Sequence, residues 1–413
     1  MSNSLLTDDI LVKKALMSLK NKLVLARGVT REYGKEFAQS GAKAGATVNI
    51  RKPSRYEVTS GAALNIQDST QRSVALTVDK HYHVGMAFSQ VDRTLSLDKF
   101  TELHIDPAME QLAGYIDYAL YADMYKNVYS SVGVPSASAL PSTLKGFTQA
   151  KAKMALLGAP KGMYSAVVDP LVEASLVEGL KGLFHSSSEV SKQYEDGEMG
   201  RAAGCKFMSS QSVAKHTIGD HEGTPAIDTT VSANGTATLH LDGTLGDVTG
   251  WAKQGDVIQI AGVYAVNPIT RESTGELAQF VVTADTNSVS NEIAALPISP
   301  SIYLTGPLKN VNRAPTDADL VTIFGHATSY ANVVAPQNLV FHKSAFALAS
   351  VDIELPNAGA KASRAFDEDA GLSLTMSEQF DIVNYRNIHR IDFLGGWKCI
   401  YPELACRVVG QPA

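Results

Sequence analysis

The sequence predicts an α+β chain with an all-β module inserted into it, and three observations carry that prediction. Apolar residues recur at helical spacing near the N-terminus and again from Asp106, whereas from Val74 to Phe88 they alternate. Over 216–335 the composition turns to Thr, Gly, Ser and Asp with short apolar runs, and mixed α/β character resumes afterwards. The chain has 413 residues and a 45% hydrophobic fraction, enough apolar material for more than one core.

The first helix is expected from Leu5, Ile10, Leu11, Ala15, Leu16, Leu19 and Leu23, with Thr7, Asp8 and Asp9 at its start, where acceptors meet unpaired N–H groups. So short an amphipathic helix needs a partner surface, on its own subunit or on a neighbour. In the next segment Val48 and Ile50 alternate with polar residues, and Val74, Leu76, Val78, Tyr82, Val84, Met86 and Phe88 all fall on even positions. This predicts a long two-stranded hairpin over 46–90, with a possible break near Asp79-Lys80, projecting so that it lies against another subunit. Asp106 as N-cap and Pro107 at the first helical position open the clearest helix. Met109, Leu112, Ala113, Ile116, Leu120, Met124 and Val128 line one face of it as far as Tyr129.

Residues 143–215 read as mixed α/β: a helix ending at Gly158, the buried strand MYSAVVDP closed by Pro170, the helix LVEASLVEGLKGLFH, then loop and strand. Within 216–335, strands are expected at Thr236–Leu241, Val257–Ala261, Phe280–Ala284 and Ile302–Leu304, forming a small barrel. After it come NLVFHKSAFALASVDIEL and strands at Leu372–Met376, Ile388–Phe393 and Ala405–Val409.

Lys and Arg total 36 against 42 Asp and Glu, a net charge of −6, so the chain lacks the basic balance of a protein that grips nucleic acid through its phosphates. Cys205, Cys399 and Cys406 form no C-x-x-C pair and read as small buried hydrophobes. The N-terminus does not read as a secretory signal, and no run approaches the ~18 apolar residues of a membrane span.

Catalytic motifs are weak. GAPKGMYS lacks the ending and spacing of a phosphate loop, and there is no G-x-S-x-G elbow. His81 with His83, or His216 and His221 flanking Asp220, lack a third metal ligand in sequence. Asp367-Glu368-Asp369 lacks calcium-loop spacing and reads as a solvated loop or an ion-pair partner across an interface. An enzyme would have to bring distant residues such as Asp319, His326 and Glu354 together. No catalytic residue, cofactor or metal is expected; an assembling subunit of a larger particle is, with a tail-tube or decoration subunit as the alternative.

Three stretches carry a family resemblance. GDVIQIAGVYAVNPITRESTGELAQFVVTAD (Gly255 to Asp285) resembles the insertion domain of coat proteins from short-tailed bacteriophages related to the temperate Salmonella podovirus. YEDGEMGRAAGCKFMSSQSVAKHTIG (Tyr194 to Gly219) resembles the entry to that insertion, and WKCIYPELACRVVG (Trp397 to Gly410) resembles the closing strand. The resemblance implies the Hong Kong 97-type capsid fold: an N-terminal arm (1–45), an extended loop (46–90), a peripheral domain with a long spine helix (91–142), an axial and peripheral α/β region (143–215), an inserted β-barrel (216–335) and a C-terminal axial and peripheral part (336–413). It further implies a major capsid protein that builds hexamers and pentamers of an icosahedral shell. The shell would assemble in the bacterial host cytoplasm as a procapsid, with a scaffolding protein and a portal protein as partners. It would then expand around double-stranded DNA that it touches only loosely, and no membrane is involved.

Candidate interface residues follow: Asp8, Asp9, Lys13 and Lys14 on the arm, Arg51, Lys52, Arg55 and Arg72 on the loop, and Asp242, Asp247 and Asp256 on the module, the last three facing basic partners on a neighbour. Lys52 and Lys80 are not expected to form covalent cross-links between subunits.

Overall fold

The structure, a computed structural model, describes residues 8–31, 47–62, 66–67, 71–89, 101–136, 140–180, 200–324, 331–356, 359, 361–367 and 371–411. In chain order the elements begin with α1 (Asp8–Lys22), α2 (Leu25–Gly28), β1 (Thr47–Arg51), β2 (Ser73–Thr77), β3 (Lys80–Ser89), α3 (Asp106–Tyr125), β4 (Ser131–Val132), α4 (Lys145–Leu156), β5 (Tyr164–Val168) and α5 (Pro170–Leu180). Next come β6 (Arg201–Ala202), β7 (Cys205–Ser209), β8 (Lys215–Thr217), β9 (Gly223–Ile227), β10 (Thr236–Thr244), β11 (Val257–Val266), β12 (Ser273–Val282), β13 (Ile293–Ile302) and β14 (Val321–Ile323). The last are β15 (Val334–Pro336), β16 (Asn338–Phe341), β17 (Phe346–Ser350), β18 (Lys361–Asp367), β19 (Leu372–Asp381), β20 (Arg386–Cys399) and β21 (Ala405–Val408). The chain divides into two compact units, one of 1–51, 73–120 and 346–400, the other of 52–72, 121–345 and 401–413.

The first unit is built on β20. This strand pairs antiparallel with β19, with β3 through Arg386 to Gly395, and with β17 through Gly395 to Cys399; β18 lies beyond β19. Helix α1 packs on β18 and β19 and buries Leu11, Val12, Ala15, Leu16 and Leu19. The terminal helix is therefore docked on its own body, the first of the two partner surfaces that the sequence left open. The expected long hairpin is corrected. Only β1 and β2 pair with each other, whereas the alternating run breaks at Val78-Asp79 and its second half, β3, joins β20. Alternation fixes which face of a strand is buried and leaves its hydrogen-bonding partner open. Tyr82 of β3 lies edge-on to Tyr115 and stacks near Trp397, with ring centroids 5.0 and 6.2 Å apart. Gly396 allows β2 to cross closely, since a Cβ there would stand 2.0 Å from the Thr77 carbonyl oxygen.

Asp106 does not act as a free N-cap. The chain enters α3 through a π-turn at Thr101–Ile105, and the Asp106 carboxylate accepts a hydrogen bond from the Ser18 hydroxyl at 2.5 Å. The predicted face of α3 (Met109, Leu112, Ala113, Ile116, Leu120 and Met124) is buried throughout, and the helix ends at Tyr125, four residues before the expected Tyr129.

In the second unit, β4, β21, β16, β5, β7 and β6 form a six-stranded sheet. Strands β5 and β7 precede the module in sequence while β16 and β21 follow it, so the module is an insertion into one sheet. Helices α4 and α5 cover this sheet through Phe147, Met154, Val172 and Leu176. A Schellman arrangement closes α4: Ala159 N–H reaches the Met154 carbonyl, Gly158 N–H reaches that of Ala155, and Gly158 takes φ +89°. Pro170 opens α5 where it was expected only to close the preceding strand, and the Asp169 carboxylate accepts Leu171 N–H at 2.8 Å. Residues 181–185 of that expected helix lie outside the described residues.

The inserted strands run in the order β14, β11, β12, β13, β10, β9. An antiparallel bridge between Ala226 and Leu320 brings the two ends together and closes a barrel. Its core holds Trp251, Ile258, Ile260, Phe280, Leu296 and Ile302. The strands are longer than predicted. Register shifts in β10 and β11, and Pro297 and Pro300 within β13, interrupt the sequence signal without ending the strands.

Candidate assembly surfaces

The extended loop is tied to its own chain at its base. Beyond β1 and β2, Lys52 N–H donates to the Arg72 carbonyl at 2.7 Å. The Lys52 ammonium lies 4.9 Å above the Tyr401 ring, and Arg55 donates to Glu403 at 3.1 Å. Farther out, Glu57 and Gln67 clamp the two limbs through main-chain to side-chain hydrogen bonds of 2.8 and 2.5 Å. Lys52, Arg55 and Arg72 thus share one cleft with Lys309 of the barrel, a residue that sequence reasoning passed over because it lies far along the chain. Arg51, the last residue of β1, is exposed.

On α1, Asp9 and Lys13 are exposed and Lys14 is half-buried, while the Asp8 side chain lies outside the described residues. Lys20 and Lys22 on the same helix are engaged within the first unit, by Asp367 at 2.7 Å and Glu110 at 3.1 Å. That assigns Asp367 of the acidic cluster an intrachain partner; Glu368 and Asp369 lie outside the described residues.

On the barrel, Asp247 is exposed and accepts Ser290 N–H at 2.7 Å, and Asp242 is half-buried on β10. Asp256 departs from expectation. It is 1% exposed, so it offers no surface charge to a neighbour. Its carboxylate accepts hydrogen bonds from His216 Nε2 at 2.7 Å, His221 Nε2 at 2.8 Å, Lys253 N–H at 2.8 Å and Gly219 N–H at 3.1 Å. Burial by itself pushes this carboxyl up, but the two histidine donors reverse that and hold it well below the usual carboxylate range. The two histidines do converge, on Asp256 and not on the adjacent Asp220. A separation of about 40 residues hid that partner from sequence reasoning. Arg407, also buried, donates to the Gly255 carbonyl at 2.8 Å and to Gln337 at 3.2 Å.

A second buried carboxylate was equally invisible in the sequence. Asp117 of α3 accepts the N–H groups of Val24, Leu25 and Ala26 at 2.6, 3.3 and 3.0 Å and so supplies the cap of α2. Of the other residues singled out, His81 meets Asp392 at 2.7 Å, Asp319 is gripped by both Arg313 nitrogens at 2.7 and 2.9 Å, and His326 lies outside the described residues.

At the turn between β19 and β20, Ile382, Val383 and Tyr385 are exposed by 81%, 86% and 69%, with Phe380 packed edge-on to Tyr385 at 5.7 Å. An apolar hairpin tip of this kind is a candidate contact surface.

A basic cleft beside the loop and an apolar hairpin tip are surfaces of the kind that meet other subunits. The chain belongs to the P22 coat protein family (P22 coat protein, gene protein 5), whose model matches residues 2–410. It is a tailed-phage major capsid protein that forms an icosahedral shell, with the capsid fold of that class, and this replaces the tail-tube or decoration alternative. A search of curated proteins finds no match. Among solved structures, the chain is similar to one from Mycobacterium phage Che8, at 12% identity with 94% of this chain and 90% of that one covered and a TM-score of 0.44. It is also similar to the capsid of Cyanophage P-SCSP1u, at 11% identity with coverages of 90% and 85% and a TM-score of 0.41. A third is the capsid of Ralstonia phage GP4, at 8% identity with coverages of 90% and 85% and a TM-score of 0.41.

Proposed function

We propose that this coat subunit enters the shell through a procapsid assembled in the host cytoplasm on an internal scaffolding protein, with a portal protein at one vertex, and that the shell expands as double-stranded DNA is packaged. Membership of the P22 coat protein family over residues 2–410 is the observation that carries this reading. On the same reading 1–45 is the arm, 46–90 the extended loop, 91–142 the peripheral domain with its spine helix, 216–335 the insertion, and 143–215 with 336–413 the axial and remaining peripheral parts. The task is purely architectural. Each subunit offers several modest surfaces, and repetition around a closed lattice turns them into a stable shell by mass action. A net charge of −6 suits a wall along which DNA must slide.

Co-expression with the scaffolding gene of the same phage tests the proposal. Negative-stain images are expected to show closed shells of uniform diameter, and a denaturing gel a single coat band near 44.0 kDa with no ladder of linked subunits. Shells that form equally well without the scaffold would remove the scaffold-assisted step.

A further inference from the structure

A cleft of about 270 Å³ opens within the second unit, between the base of the extended loop and the barrel. Four cations line it, Lys52, Arg55, Arg72 and Lys309, against one carboxylate, Glu403. Arg55 already takes Glu403 at 3.1 Å, and Lys52 rests on the Tyr401 ring. Among the described residues, no carboxylate lies within ion-pair distance of Arg72 or Lys309. The cleft therefore carries uncompensated positive charge on a chain whose net charge is −6. Acids are in excess over the rest of the molecule, which makes other copies of it a complementary partner.

We propose that this cleft receives an acidic segment of a neighbouring copy of the same chain. The proposal rests on the coat-protein reading and adds to it a named acceptor site. Three features favour a polypeptide carboxylate over a DNA phosphate. The cleft admits roughly two side chains and is far too small for a duplex. Pro268, Pro300, Tyr303 and Pro402 line it, and such apolar walls suit a peptide loop. Glu403 inside it repels a polyanion while leaving room for one or two carboxylates beside the free guanidinium and ammonium. Arg72 supplies the planar fork that grips a carboxylate through two parallel hydrogen bonds, and Lys309 a point charge beside it.

The experiment compares wild type with two double variants, Arg72→Glu with Lys309→Glu and Arg72→Gln with Lys309→Gln, each assembled with the scaffold. Among the described residues neither side chain has an ionic partner, so circular dichroism and urea midpoints of the subunits are expected to stay at wild-type values. The threshold concentration for shell formation is expected to rise about tenfold for the neutral pair and further for the reversed pair. A wild type that forms no shells sinks the coat reading itself. Shells from wild type and unchanged thresholds for both variants overturn the cleft proposal alone. Normal assembly with shells that fail only in holding DNA overturns it in favour of a nucleic-acid site. Carbodiimide coupling of wild-type shells, mixed from isotope-labelled and unlabelled subunits, supplies a readout free of substitutions. Amides joining Lys309 or Lys52 to an Asp or Glu of a differently labelled copy support the proposal and identify the segment. Links confined to one copy, such as Lys52 to Glu403, count against it.

Discussion

Asp256 and Asp117 are both buried carboxylates, and their surroundings drive them in opposite directions. For Asp256, burial is overcome by His216 and His221, so the folded value lies below the ordinary 3.8. Its contribution to stability is fully present above about pH 4 and drains away as pH falls, because the unfolded chain then takes up the proton more readily. For Asp117, burial outweighs the three N–H donors and pushes the folded value up to about 6 from 3.8. Here the folded state binds the proton more tightly, so stability falls as pH rises from about 4 to about 6. The two tryptophans, Trp251 in the barrel and Trp397 in the first unit, allow the effects to be read separately in single-tryptophan variants. Asp256→Asn turns an amide N–H towards a donor or leaves a histidine unmatched, and is expected to cost about 3 kcal/mol at Trp251 with loss of the acid limb. Asp117→Asn is expected to flatten the slope between pH 4 and 6 at Trp397. A slope unchanged in that variant would assign the titration elsewhere.

Helix α1 illustrates at the scale of an element what periodicity does and does not say. Spacing identified its apolar face correctly, and Leu11, Ala15, Leu16 and Leu19 are all buried. What the face meets is β18 and β19, more than 300 residues along the chain. Loss of the helix is therefore expected to act on folding before it acts on assembly. Leu19→Ala should lower the stability of the first unit by about 2–5 kcal/mol, read by urea unfolding at Trp397. Unaltered unfolding together with failed assembly would restore the idea of a free arm. Strand β3 gives the same lesson: its alternation was plain, while its place beside β20 depended on a partner about 300 residues away. In the barrel, β13 was hidden by Pro297 and Pro300, which hydrophobic alternation treats as breaks.

On the scale of the whole molecule, the described residues offer several candidate contact surfaces, among them a basic cleft, an exposed Ile382–Val383–Tyr385 tip and charges on α1 and the barrel. A subunit in a closed shell uses several surfaces at once, so no one of them need hold two copies tightly. Assembly followed by light scattering is accordingly expected to show a lag and a threshold concentration below which subunits stay free. A smooth, threshold-free rise in dimers and trimers would indicate one dominant interface.

The sequence by itself determined the α+β class, the insertion between two halves of one α/β region, the apolar faces of α1, α3 and β3, and the family, through the stretch Gly255 to Asp285. These are local or near-local properties, set by spacing, turn residues and a contiguous motif. The tertiary structure alone decided that α1 lies on its own sheet, that the loop is tethered at Tyr401 and Glu403, that Asp256 is the centre of a buried hydrogen-bonded cluster and that Lys309 joins the loop cations. Each of those depends on residues brought together by chain closure over tens to hundreds of positions, and no period or spacing along the chain encodes which distant partner a buried face or charge will find.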